Sequence, residues 1–347
     1  MAKEKIFNKT HYESAWRYFA SLRPGQDIFT PEMRSCGDDP TYDEFCRKVA
    51  DSIIHLGTAA QIANYLNIFF HIYHMKQSQE KIYYVTPELS ARLAQTSINV
   101  DSYFLKSPFR EIYVQIDPGL FSIKDISGEK VPVHGFYVHL RDFGEYKKLR
   151  VMACSMMRPT DEIPFNDANF YFQVEIRGGK LRDEVQKFIK NKIKPELKGL
   201  KAYDLANNID HLEEFTTFAF NVLLYITSKR PILSNLEPIN YSGKLANLKS
   251  PSKINKLKKR IAKANTHRII VIGDGVQDKN NDIEKIRQAG GIGLWKLNNK
   301  VRVSGHWRTQ WYGSDKNGTR YADQIFVDDY TKGPEFSDVV SSKYVVK

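Results

Sequence analysis

Four short runs of β-branched and aromatic residues in the middle of the chain constrain its fold most strongly. They are REIYVQID at 110–117, GFYVHLRDF at 135–143, KKLRVMACSM at 147–156 and NFYFQVEIR at 169–177. Residues of these types favour strands, and the Gly, Pro, Asp and Asn residues between the runs favour turns. Strands that follow each other so closely pair with their neighbours. The segment from about 109 to 177 therefore predicts an antiparallel meander.

Helical patterns lie on both sides of this meander. In the first hundred residues, capping boxes at Thr10 and Thr41 each place a Glu three residues after the Thr. Apolar side chains then recur at three- to four-residue spacing, at Ile62, Leu66, Phe69 and Tyr73. Residues 203–228 predict a long helix whose second half is apolar nearly all round. Such a helix is typical of the centre of a core.

These patterns predict an α+β fold, with an N-terminal helical region followed by a mixed, mostly antiparallel sheet and a long core helix. We expect four regions along the chain. Residues 1–105 are the helical region, 106–237 the meander and the long helix, 238–268 a basic linker with a short helix, and 269–347 the C-terminal strands that complete the sheet.

The chain is strongly basic, which favours a polyanionic partner. Its 347 residues carry a formal net charge of +12, and no acidic residue occurs between Pro238 and Gly273. In this stretch we predict nucleic-acid contacts through Lys253, Lys256, Lys258, Lys259, Arg260 and Lys263. A solvated helix face or loop carries the same residues, and the sequence does not decide between the two.

Motifs for metals, cofactors and nucleophilic catalysis are incomplete. VIGDGV at 271–276 lacks the third Gly of a dinucleotide-binding turn. His71 and His74 are three residues apart, but no second pair or acidic cluster completes a metal site. There is no C-x-x-C pair among the three Cys and no G-x-S-x-G motif. We therefore predict no metal and no cofactor. The absence of apolar runs of signal-peptide or membrane-spanning length predicts a cytoplasmic protein without membrane contact, of open oligomeric state.

The segment RVSGHWRTQWYG at 302–313 is the strongest candidate for a functional site. If it is a strand, alternation places a polar row on one face, made of Arg302, Ser304, His306, Arg308, Gln310 and Tyr312. The other face carries Val301, Val303, Gly305, Trp307, Thr309 and Trp311. Such a polar row can bind phosphate, a carboxylate or a peptide backbone, and a histidine can move a proton near neutral pH. A half-buried strand without function shows the same alternation, and this alternative stays open.

The same segment resembles a known family. GHWRTQWYG at 305–313, followed by QIFVDDYTKGPE at 324–335, is similar to the C-terminal signature of the type V-A anti-CRISPR proteins that lower expression of the effector nuclease, and of related phage and mobile-element proteins. The signature places are held by Gly305, His306, Trp307, Trp311 and Gly313. The stretches 107–123 and 133–142 resemble the family's central strand pair. Ser304 stands where the family would carry a basic residue.

The resemblance implies that the chain recognises the emerging N-terminal peptide of a type V-A effector and causes loss of its mRNA during translation. Its partners would be the nascent effector polypeptide and RNA or the ribosome, in the cytoplasm of a host bacterium. Two alternatives remain. A metal-independent endoribonuclease would use His306 as general base or acid, with Arg308 and Gln310 on the scissile phosphate. A basic phage protein would bind nucleic acid through residues 256–260 without catalysis.

Overall fold

A mixed sheet forms the centre of the fold, which confirms the predicted α+β class. The computed structural model describes residues 11–22, 27–56, 58–78, 80–124, 130–155, 169–190, 205–229, 231, 233–235, 250–255, 269–273, 300–303, 305–315, 317–328, 330–332 and 339–340. Within them, the strands of this sheet are β1 (Ile82–Val85), β2 (Glu111–Gln115), β3 (Ser122–Lys124), β4 (Lys130–Asp142), β5 (Lys147–Ser155), β6 (Asn169–Ile176), β7 (Leu233–Asn235) and β8 (Ile269–Ile272).

The sheet combines the predicted meander with three strands from elsewhere in the chain. Its order is β6-β5-β4-β2-β1-β8-β7, and β3 pairs with β4. Strands β2, β4, β5 and β6 run antiparallel, as the four runs predict. Strand β1 is parallel to β2 and to β8, so the sheet is mixed. Strand β8 is an unbroken apolar run, which suits a strand buried on both faces.

Helices cover both faces of the sheet. They are α1 (His11–Leu22), α2 (Pro31–Arg34), α3 (Tyr42–Ile53), α4 (Ala59–Gln77), α5 (Pro87–Ala94), α6 (Leu181–Phe188) and α7 (Leu205–Thr227). One core contains the buried side chains of α5, α6 and α7, and the other those of α1 to α4. Strand alternation divides β4 between them, since Phe136 and Val138 belong to the first core and Tyr137 to the second. No helix in the described ranges is long and apolar enough to cross a membrane.

Local sequence signals explain where several helices begin. The Thr41 hydroxyl accepts a hydrogen bond from the Glu44 amide, and the Glu44 carboxylate accepts one from the Thr41 amide at 2.7 Å, so the predicted capping box is present. Pro87 occupies the first turn of α5, as Pro does at many helix starts. The long helix expected at 203–228 is α7.

The remaining C-terminal strands differ from the expectation. They are β9 (Lys300–Val303), β10 (His306–Tyr312), β11 (Tyr321–Val327), β12 (Tyr330–Lys332) and β13 (Val339–Val340). The sequence predicts that the C-terminal strands complete the main sheet, but among those in the described ranges only β8 joins it. Strands β10 and β11 form a separate hairpin, and β12, β9 and β13 form a third sheet. Strand β10 alternates polar and apolar side chains. This pattern suits a two-stranded ribbon that packs one face on a helix, which explains why the hairpin is separate from the main sheet.

Candidate functional site

The candidate polar strand is one half of the β10–β11 hairpin. His306 lies opposite Val327, Arg308 opposite Ile325, and Gln310 opposite Asp323. We call the side of β10 that carries His306, Arg308, Gln310 and Tyr312 the polar face. Arg308 Nη2 donates to Gln310 Oε1 at 3.1 Å, as expected for side chains two residues apart on one face. The alternation predicted for 306–312 is therefore present.

The other face of the hairpin packs on α7. The rings of Trp307 and Phe326 lie 5.2 Å apart, and Phe326 contacts Tyr225 of α7 at 5.7 Å. Trp307 Nε1 donates to Asn221 Oδ1 at 2.8 Å. The Asn221 amide in turn donates to the carbonyl oxygens of Leu93 and Thr96. One fully buried asparagine thus joins the hairpin, the long helix and the end of α5.

The structure explains why glycine occupies positions 305 and 313 of the family-like signature. A Cβ on Gly305 would lie 3.1 Å from the Phe326 ring, so the glycine lets the hairpin close against that ring. Gly313 has a φ of +82°, and a Cβ there would lie 2.2 Å from the carbonyl oxygen of Thr319. The hairpin turn therefore needs Gly at position 313.

Aromatic and cationic side chains meet at the end of the hairpin. The rings of Tyr312 and Tyr321 stack at 5.5 Å, and the Lys229 ammonium lies 3.6 Å from the Tyr312 ring centroid. Arg320 covers the exposed ring of Trp311 at 4.5 Å. The expectation that Trp311 serves packing is therefore wrong. The hairpin extends beyond the core at this end, so the ring is half exposed to solvent.

The polar row does not begin at Arg302. That residue lies in β9, where it is paired with Thr331, and not in the ladder that contains His306. The single strand expected from 301 to 311 is two strands in two different sheets. Ser304 lies outside the described residues. The break arises because β9 and β10 pair with strands of different sheets. The alternation of residues along the sequence does not show which strands pair.

Of the basic residues proposed for nucleic-acid contacts, one falls within the described ranges. Lys253 is exposed on a helical turn at 251–255. The others, namely Lys256, Lys258, Lys259, Arg260 and Lys263, lie outside the described residues. Nucleic-acid binding by this stretch stays a prediction.

His306 is half-buried on the polar face, with Arg308 next to it on the same side. The residue directly across the hairpin, Val327, has no group that can transfer a proton. Across the part of the chain that the structure describes, no group of three or more His, Cys, Asp or Glu side chains is placed to hold a metal ion. A catalytic role for His306 stays a prediction, which RNA cleavage in EDTA by wild type and His306→Ala would test.

Sequence reasoning missed a polar cluster inside the N-terminal core. The Glu111 carboxylate lies there with its two oxygens 3.0 Å and 3.1 Å from Nδ1 of His71 and His139. The rings of His74 and His139 are 4.4 Å apart. His11 Nδ1 lies 3.2 Å from the hydroxyl of Tyr137, on which the His71 ring stacks. We call His11, His71, His74, Glu111 and His139 the buried histidine cluster.

Burial sets the protonation of this cluster. Every member is almost or entirely inaccessible to solvent. Burial raises the pKa of Glu111 well above its usual value, although the Arg150 charge opposes this change. Burial also lowers the pKa of His71 and His139 well below the usual value, and that of His11 and His74 to about 3. Because no substrate can reach these groups, we assign them a structural role.

The cluster left a signal in the sequence. His71 and His74 lie in a helix rich in apolar residues, Glu111 precedes the apolar run 112–114, and His139 stands between Val138 and Leu140. Polar side chains in such positions must find partners inside the core. Spacing along the chain could not show that the acidic partner of His71 is Glu111, 40 positions away.

The hydrogen bond between Trp307 and Asn221 predicts how a substitution of Trp307 changes the stability of the fold. In Trp307→Phe the indole donor is lost and the buried Asn221 oxygen loses that partner, which we expect to lower the free energy of unfolding by about 1–3 kcal/mol. Urea unfolding followed by circular dichroism measures the change. Trp311→Phe, at the exposed ring of the same strand, is the control and should stay within about 0.5 kcal/mol of wild type. Equal losses in both variants would contradict the proposed role of the indole.

Comparisons with known proteins agree with the sequence resemblance. The family model AcrVA2-like, described as the anti-CRISPR type V subtype A2 family, matches residues 83–328, which is well over half of the chain. A structure titled "Crystal structure of AcrVA2" is similar at 12% sequence identity and a TM-score of 0.44, over 95% of this chain and 96% of that chain. No curated protein sequence gives a significant match. The extent of the family match shows that the chain belongs to the AcrVA2-like family of type V anti-CRISPR proteins.

Proposed function

We propose that the chain lowers the amount of a type V-A effector by binding the effector's emerging N-terminal segment at the β10–β11 hairpin, after which the effector mRNA is lost during translation. The observation that carries this proposal is the position of the family signature. Its residues form a hairpin that packs one face on α7 and presents the polar face on the other side. A binding role needs no catalytic group, and the hairpin offers contacts of two kinds.

The first kind is backbone pairing. Within the described ranges, β10 and β11 pair only with each other, so each keeps one edge of amide and carbonyl groups. Such an edge pairs with an extended segment of another chain, as in peptide recognition by strand addition. An N-terminal segment that leaves the ribosome before its domain folds is available in extended form. This contact would supply affinity that depends little on the peptide sequence.

The second kind is side-chain recognition along the polar face. Arg308 is exposed and its guanidinium already donates to Gln310, so both side chains are oriented along the strand. An arginine can form paired hydrogen bonds with a carboxylate, and glutamine can donate to and accept from a peptide backbone. Tyr312 adds a flat apolar surface at the end of the row. These side chains would supply the selectivity for the effector's own sequence.

The test is binding of a fluorescent synthetic peptide that corresponds to the effector N-terminus. We expect saturable binding to wild type and about tenfold or weaker binding to Arg308→Ala, because a hydrogen bond to a charged group contributes about 1.5–3 kcal/mol. Arg320→Ala is the matched control, since this arginine belongs to the same hairpin but lies over Trp311 and pairs with Asp315. It should bind the peptide like wild type.

In cells that express the effector, wild type should lower effector mRNA and Arg308→Ala should not. If wild-type protein fails to bind any peptide from the effector N-terminus, the proposed recognition is wrong. If Arg308→Ala and Arg320→Ala weaken binding equally, the polar face is not the recognition surface.

A further inference from the structure

A second surface, at the end of β4 and the start of β5, carries an unassigned groove. One wall is the loop 101–110 that leads into β2, and the other is the turn between β4 and β5 at 142–147. The groove has a volume of about 980 Å³. Its floor is apolar, with Leu105, Leu140 and Ile176. We call it the sheet-end groove.

The first wall presents an exposed tyrosine beside a lysine. The Tyr103 side chain is 69% exposed and lies on the helical turn Ser102–Phe104. The Lys106 ammonium lies 5.5 Å from the centroid of the Tyr103 ring. Two contacts hold this wall in place. The Asp101 carboxylate accepts from the Tyr103 amide at 2.9 Å, and Lys147 Nζ donates to the carbonyl oxygen of Leu105 at 2.8 Å.

The second wall presents the Tyr146 ring, which stacks on Phe143, a residue outside the groove lining. Phe143 and Tyr146 lie nearly parallel, with ring centroids 4.9 Å apart. The Arg141 guanidinium is 4.9 Å from the Phe143 ring, and the Arg177 guanidinium is 5.4 Å from the Tyr146 ring. The Phe143 amide donates to the Tyr146 carbonyl oxygen at 2.9 Å, which fixes the turn that carries both rings.

Some cations of the groove have no strong ion pair within the described ranges and can therefore bind a ligand. Asp39 pairs with Arg110 at 3.2 Å and with Arg141 at 3.4 Å, so this carboxylate is neutralised. Asp101 and Asp142 each accept a hydrogen bond from a backbone amide of their own turn. Lys106 forms no ion pair within the described ranges. Arg177 pairs with Glu175 at an exposed site, where such pairs contribute little and can exchange partners.

We propose that the sheet-end groove binds single-stranded nucleic acid. Bases stack on Tyr103 and Tyr146, while Lys106 and Arg177 contact the phosphates. The reason is that each wall combines a tyrosine ring, exposed at Tyr103 and half-buried at Tyr146, with an adjacent cation. Bases of any sequence stack on aromatic rings, and phosphates are neutralised by Lys and Arg. An acidic protein surface would use the cations but would gain little from the two flat tyrosine rings, so nucleic acid fits the groove better.

The proposal does not depend on peptide recognition at the hairpin. The two surfaces share no residue, since the groove is lined by residues 101–103, 105–110, 140–142, 144–147 and 176–179, together with Asp39. A chain that binds a nascent peptide and a nucleic acid at separate sites can hold both during translation. The sequence predicts nucleic-acid contacts in a different segment, at 253–263, and Lys253, the described residue of that set, does not line this groove.

The experiment is a fluorescence anisotropy titration of the full chain with labelled single-stranded RNA and DNA oligonucleotides. We expect Tyr103→Ala to weaken binding about tenfold, in line with the loss of one stacked base. Lys106→Ala should lower the slope of log affinity against log salt by about 0.7, the value for one phosphate contact on a single strand. Glu145→Gln, which removes a carboxylate from the groove lining, should tighten binding. Comparison of RNA with DNA shows which strand type the groove prefers.

Tyr321→Ala is the matched control, because this tyrosine is also half exposed and also has a lysine ammonium over its ring, but it lies on the hairpin. It should bind oligonucleotides like wild type, as should Arg308→Ala. The proposal is overturned if the folded wild type binds neither oligonucleotide, or if Tyr103→Ala and Tyr321→Ala weaken binding equally. Binding of polyglutamate that depends on Tyr103, without oligonucleotide binding, would show that the groove takes an acidic protein instead.

Discussion

Glu111→Ala is expected to lower the free energy of unfolding by about 2–5 kcal/mol, because it leaves buried polar groups without their partner and opens a cavity. The Glu111 carboxylate is fully buried and lies within hydrogen-bonding distance of His71 and His139. Alanine leaves two imidazole groups without their acceptor and opens a cavity between α4 and β4. Urea unfolding at pH 7.5, followed by circular dichroism, measures the loss.

Two further variants test the reason for this loss. Glu111→Gln keeps the shape and one carbonyl oxygen as acceptor, and a neutral imidazole can change tautomer to accept from the amide. We therefore expect a smaller loss than for alanine. Asp51→Ala removes an exposed carboxylate from α3 and should change the free energy of unfolding by less than about 0.5 kcal/mol. If Glu111→Ala is no more destabilising than Asp51→Ala, the buried network does not stabilise the fold.

The sheet was predictable where the decisive information is local. Each strand of the meander has its own β-branched and aromatic residues, and short turns leave its neighbours as the nearest partners. The parallel pairing of β1 with β8 is different, because these strands are separated by most of the chain. Nothing in the local sequence of Ile82–Val85 selects Ile269–Ile272 as its partner. The buried histidine cluster has the same cause, since its members come from α1, α4, β2 and β4 and meet only in the folded chain.

The candidate site also has some features that the local sequence predicts and others that it does not. Alternation correctly placed Arg308 beside Gln310 and turned Trp307 toward the core. It could not show that the chain changes sheets between β9 and β10, which removes Arg302 from the row. Nor could it identify Asn221 as the partner of Trp307, since the two residues are 86 positions apart. The sheet-end groove was missed because its rings come from two segments, each of which resembles an ordinary turn.

Acid is expected to unfold the protein because of the same buried histidines. The pKa values of His11, His71, His74 and His139 are all lowered by burial in the folded chain. Below about pH 6.5, the unfolded chain binds protons at these positions and the folded chain does not. Their contribution to stability is therefore present above pH 6.5 and is lost as the pH falls.

The size of this effect follows from proton linkage. Between pH 6.5 and 4.5 a histidine that stays neutral in the folded chain removes roughly 2 kcal/mol, so His11 and His74, with pKa values of about 3, together remove about 4 kcal/mol. The lowered pKa values of His71 and His139 add to this loss. Glu111 acts in the opposite direction, because its raised pKa lets the folded chain keep a proton that the unfolded chain releases. A loss of several kcal/mol is a large part of the stability of a typical domain, so we expect the protein to be much less stable at pH 4.5 than at pH 6.5.

The measurement is urea unfolding at pH 6.5, 5.5 and 4.5. In His74→Phe one titrating group is replaced by an apolar ring of similar shape, in a site already lined by Phe70 and Tyr73. This variant should lose about 2 kcal/mol less than wild type over the interval. His55→Ala, at an exposed imidazole outside the cluster, should lose as much as wild type. If His74→Phe shows the wild-type pH dependence, or if wild type is equally stable at pH 6.5 and 4.5, the buried histidines are not the cause of acid sensitivity.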